Sequence, residues 1–178
     1  ASFAAWEGVA DIDFMRVEDG PDVDIRIGWA GLDGSGGTLG VTTTPRTGPL
    51  DNVLIRFDPA ERWVTGGDAP NTRIDFSAVA RHEIGHAIGL DHSTTGPALM
   101  QAFYSPNVLE LRADDIRGVQ TLYGSADTGG TDGGDGADGS SGGTGNIPAD
   151  DFADNSGTAG RLALGAQATG DIELSGDQ

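Results

Sequence analysis

Residues 1–124 predict an α+β domain, and three observations carry that expectation. Apolar and polar residues alternate over Ile12–Arg16 and Val23–Trp29, and Thr38–Thr44 and Asn52–Phe57 are two further strand candidates. Two later stretches read as helices, from Asp75 to about Gly89 and from about Arg112 to Tyr123. Pro45, Gly48 and Pro49 supply turn chemistry between the third and fourth strand candidates.

Taken in order, Ala1–Trp6 reads as the end of a helix with Phe3 and Trp6 on one side. The four strand candidates follow. Asp75 is a natural N-cap for the next helix, because its carboxylate can accept an orphan N–H of the first turn. The last helix sets Ile116, Val119 and Tyr123 on one face, and Gly124 stops it. Asp114 and Asp115 in its first turn suit the helix dipole.

Composition changes sharply after Gly124. Residues 125–149 are nearly all Gly, Asp, Ser and Thr and read as a flexible acidic linker, unable to bury enough apolar area to offset ordering. Residues 150–178 regain Leu, Ile and Ala in LALGAQATGDIEL, enough for two short strands but too few to enclose a core.

The chain has 28 acidic and 10 basic residues, all Arg, for a net charge of −18. That balance opposes nucleic acid and anionic membrane surfaces and suits cation binding. With no Cys there is no disulfide, thiolate metal site or cysteine nucleophile. No apolar run approaches the roughly 20 residues of a membrane span, and the opening ASFAAW has no signal-peptide pattern.

All three His of the chain fall within His82-Glu83-Ile84-Gly85-His86-Ala87-Ile88-Gly89-Leu90-Asp91-His92. On a helix His82 and His86 point the same way, one turn apart, and can share one Zn²⁺. Gly89 leaves the helical region cheaply, so the chain can turn and return His92 as a third ligand. Three neutral ligands leave the fourth tetrahedral position open, as in a catalytic zinc. Glu83 stands beside the first ligand as the base for a zinc-bound water, whose pKa the metal lowers to about 7. A helix with merely solvated histidines would have to place every His of the protein at ligand spacing by accident.

The segment HEIGHAIGLDHS resembles the signature of the matrixins, the metzincin branch that contains the matrix metalloproteinases, and ALMQAFYSPNVLELRADDIRGVQTLYG resembles the stretch that follows it. The resemblance implies a metzincin catalytic domain: a twisted mixed sheet, an active-site helix and a C-terminal helix. It implies a secreted endopeptidase of extended protein or peptide substrates, including those of the extracellular matrix, acting as a monomer. Met100 would form an apolar turn beneath the zinc, with Asp114 and Asp115 tying the last helix to it. Ala102, Phe103 and Tyr104 would wall the S1′ pocket, and Ala78 would help set its depth. Leu39 and Gly40 would lie on the edge strand that pairs with substrate. LDGSGGTLG and RFDPAERW resemble the halves of a structural calcium site. Carried across, Asp33, Asp58 and Glu61 would give carboxylates, and Gly34, Gly36 and Thr38 carbonyls, an all-oxygen set suited to Ca²⁺. Val41 and Arg56 stand where the family has His ligands for a second zinc, so the expectation is one zinc per chain, in a reduced, bacterial-type matrixin.

The resemblance also implies a first strand and a long helix, of which only the helix end is here. Residues 150–178 are similar to the opening of a bacterial pre-peptidase-like C-terminal β-domain, so the chain reads as part of a longer protein. Two alternatives stand beside this reading. A serralysin-like metzincin fits the Gly/Asp tail but calls for Pro after the third His and Tyr two residues past the Met, where this chain has Ser93 and Ala102. An inactive zinc-binding module would not need Glu83.

Overall fold

The structure, a computed structural model, describes residues 1–45, 50–66, 73–126 and 170–173. The expected linker beyond Ala126, the turn residues Gly48 and Pro49, and most of the expected C-terminal β-domain lie outside them.

Helix α1, Ser2–Glu7, buries Trp6 completely. The Trp6 indole Nε1 donates to Arg81 O at 3.1 Å and so fixes the helix against the segment that carries His82. Ile12–Arg16 was expected as a strand and is not one. Its alternation is real, but no described strand lies beside it, so there is no ladder to join. The Phe14 N–H goes to Glu7 Oε1 instead, and the Phe14 ring packs on Phe3. Met15 is left 84% exposed.

Three strands then build the sheet: β1 Ile25–Trp29, β2 Thr38–Thr43 and β3 Val53–Phe57. β1 runs parallel to β3, and β2 runs antiparallel to it. The inward residues Leu39, Val53, Ile55 and Phe57 meet Val79 and Ile84 in the core. Two short strands escape sequence reading, β4 Trp63–Val64 and β5 Ile74–Asp75. Two residues each are too few to show a period.

Asp75 caps α2, Phe76–Ala87, accepting from the Ala78 N–H at 2.9 Å. The helix ends two residues before Gly89, which takes φ +98° and turns the chain back. α3, Ala113–Tyr123, opens on Arg112 and Asp115 and stops at Gly124 with φ +81°. It buries Val119 and ties Tyr123 Oη to Ile88 O at 2.8 Å, whereas Ile116 is only half-buried. A final strand, β6 Gly170–Glu173, pairs antiparallel with β2, giving the order β1-β3-β2-β6. The tail thus adds one strand to this sheet. β2, expected as an open edge, is covered by it.

Candidate metal centre

α2 carries His82 and His86 on its buried side. His82 Nδ1 lies 2.8 Å from Leu99 O, and His86 Nδ1 lies 2.7 Å from Leu90 O. A carbonyl can only accept, so each Nδ1 carries the proton and each Nε2 presents a lone pair. Those two Nε2 atoms stand 3.0 Å apart. Two lone pairs so placed repel unless a cation lies between them. Burial holds His82 well below the usual imidazole range, with His86 beside it adding to the effect, and burial pushes His86 down to about 4. Both rings are therefore neutral at pH 7, the form that binds metal.

The turn at Gly89, closed by the Leu90 N–H on Gly85 O at 2.9 Å, returns His92 to the pair. The three His ligand atoms lie within 4.8 Å of one another, and no other group of three or more His, Asp or Glu converges this way among the described residues. The donor set fits zinc.

Glu83 is fully buried, and its carboxylate meets β2. Thr42 Oγ1 donates to Glu83 Oε2 at 2.6 Å and lies 3.0 Å from Glu83 O. Gly40, two residues along the same strand face, has no Cβ; one built there would stand 2.9 Å from Glu83 Oε1. Sequence reading missed Thr42, because it is 41 residues from its partner and a strand Thr has no distinguishing local signal.

Met100 is buried against α2, where a Cβ at Gly85 would run into its Sδ. Asp115 accepts from the Leu99, Met100 and Arg112 N–H groups at 2.8, 3.0 and 2.7 Å. Asp114 accepts from Ser93 Oγ at 2.5 Å, and that hydrogen bond, the largest cause, holds it below the usual carboxylate range. Asp115 thus ties the last helix to Leu99 and Met100, whereas Asp114 ties it to Ser93. A narrow cavity nearby is lined by Ala78, Leu99, Phe103, Tyr104 and Val108 among others. Ala102, expected in that wall, does not line it. Tyr104 Oη accepts from the Asp75 N–H at 3.0 Å, which locks the wall to the α2 cap. Of the two edge residues, Leu39 buries its side chain and gives its carbonyl to the Asp58 N–H, toward β3, while Gly40 stands opposite Ile172 of β6.

The acids expected to share calcium lie in one loop region, each with N–H partners. Asp33 accepts from Thr38 N, Asp58 Oδ2 from Leu32, Asp33 and Gly34, and Glu61 Oε1 from Gly36 and Gly37. Gly34 and Gly36 take φ +92° and +93°, which the loop needs and other residues resist. Val41 and Arg56 are direct cross-strand partners, so a donorless side chain faces a permanent cation there.

Comparison with known proteins adds a second line of observation. The matrixin family model matches residues 1–124. The chain is 36% identical over 140 residues to a hatching enzyme of Paracentrotus lividus, covering 73% of this chain and 22% of that protein. It is 36% identical over 131 residues to human matrix metalloproteinase-26, covering 67% and 47%. It is 35% identical over 133 residues to metalloendoproteinase 1-MMP of Arabidopsis thaliana, covering 69% and 36%. The chain spans less than half the length of each of these relatives.

Proposed function

This chain belongs to the matrixin family of metallopeptidases, and from that premise we propose that it is an endopeptidase of extended protein substrates, with Glu83 as its base. The convergence of His82, His86 and His92 carries the proposal. Zinc held by the three imidazoles would supply a Lewis acid that acidifies water and polarises a carbonyl. Glu83 takes the proton of the attacking water and returns it to the leaving amine. Its burial keeps bulk water from competing for that proton.

The outer edge of β2 positions the substrate. Gly40 directs its backbone there, and β6 already pairs with that edge, so an extended antiparallel peptide fits it. The side chain after the scissile bond is assigned to the narrow cavity of Phe103, Tyr104 and Val108, with the small Ala78 in its lining. Structural calcium, a cofactor of the family, is assigned to the loop of Asp33, Asp58 and Glu61, whose donors are all oxygen. No helix among the described residues is long and apolar enough to cross a membrane, and a secreted location is part of the proposal.

Glu83→Ala tests the assignment. It should keep one zinc per chain by elemental analysis and lose about 100-fold or more in kcat on casein. Wild-type turnover in that variant would remove Glu83 from the mechanism. A second tightly held zinc would contradict the reading of Val41 and Arg56.

A further inference from the structure

We propose that Thr42 is a positioning residue for Glu83, holding one carboxylate oxygen so that the other does the proton transfer. The inference rests on the reading of Glu83 as the base and adds to it the part played by the strand.

Three observations meet here. Thr42 Oγ1 lies 2.6 Å from Glu83 Oε2, a short hydroxyl–carboxylate contact inside the protein. Both residues are buried, Thr42 at 1% and Glu83 at 0% exposure, so water does not replace the bond if it is lost. Gly40 is on the same strand face and leaves space at Oε1, the other oxygen. One oxygen is therefore anchored by a donor, and the second lies against Gly40, where any larger residue would push it aside.

A long carboxylate side chain has several rotatable bonds, and misplacing a base by about 1 Å can cost on the order of 100-fold in rate. The helix fixes only the Glu83 backbone. Thr42 fixes its far end, and the second contact of the same hydroxyl, 3.0 Å from Glu83 O, registers the strand against the helix as well. A hydrophobic isostere would fill the same volume without the donor.

The test uses the full chain with zinc bound. Thr42→Val should lower kcat about 10- to 100-fold with KM within about twofold of wild type. Zinc content should stay at one per chain, and the melting temperature should fall by only a few degrees. Thr42→Ser, which keeps the hydroxyl, should restore most of the lost kcat. In a Glu83→Ala background, Thr42→Val should change the residual rate no further, because the group it positions is gone. A wild-type kcat in Thr42→Val would overturn the proposal, as would equal losses in the Ser and Val variants. Full activity in Glu83→Ala would instead overturn the underlying assignment of the base. If Thr42→Val does not fold, Thr42→Ala and Thr42→Ser form the comparison, with the same outcomes required.

Discussion

Asp58 gathers four N–H donors on one carboxylate, from Ala60 on Oδ1 and from Leu32, Asp33 and Gly34 on Oδ2. These bonds, that from Ala60 first and that from Gly34 next, hold its carboxyl below the usual range. The sign follows from linkage: a depressed carboxylate pKa means the unfolded chain binds the proton more readily. The stabilisation is therefore complete above about pH 4 and is lost as pH falls through the lower folded value. Asp58→Asn should melt below wild type at pH 7, and the two should converge as pH falls below about 4. Calcium should raise the wild-type melting temperature more than that of Asp58→Asn. A gap that persists unchanged at low pH would show that shape, not charge, holds this loop. Equal response to calcium would remove Asp58 from its ligands.

At the scale of elements, the sequence was legible where chemistry is local. The histidines sit within eleven residues of one another, and helix geometry alone converts that spacing into a site. The Asp75 cap and the Gly124 stop were readable for the same reason. Ile12–Arg16 shows the limit: its alternation matches that of Val53–Phe57, but a strand needs a neighbour, and pairing is not written in the segment. Thr42 and the Leu99 carbonyl were invisible because their roles depend on contacts 41 and 17 residues away. The Leu99 contact makes α3 matter to the metal. Asp115 binds the Leu99 N–H, and Leu99 O orients His82. Asp115→Ala would leave three N–H groups without their acceptor, at a cost of about 1–3 kcal/mol each if they remain buried. It should lower the melting temperature sharply, and it should weaken zinc binding about 10-fold or more through the loosened His82. Unchanged zinc affinity in a folded Asp115→Ala variant would mean that the Leu99 carbonyl does not need α3 to hold its place.

At the scale of the whole molecule, the sheet closes on one side with a strand from the far end of the chain. β6 pairs with β2 antiparallel, with Ile172 opposite Gly40 and Asp171 opposite Val41. That is the edge assigned above to an extended substrate, and two peptides cannot hold the same backbone groups at once. A strand of the same chain competes at an effective concentration set by its tether, while a free peptide is offered at its bulk concentration. β6 is only four residues long, and the pairing carries an irregularity between Thr38 and Gly40, so substrate should be able to displace it. The cost should therefore fall on binding and leave the chemical step alone, because Glu83 and the histidines belong to α2 and the turn that follows it. A chain ending at Ala126 should show a KM for an extended peptide lower by about threefold or more, with kcat unchanged. A dipeptide or other substrate too short to pair with β2 should show no difference between the two chains. An unchanged KM for the long substrate would mean either that β6 leaves the edge freely in solution or that substrate does not use it. A synthetic peptide of residues 168–175 added to the shortened chain separates these, since it should restore the higher KM only if the edge is shared.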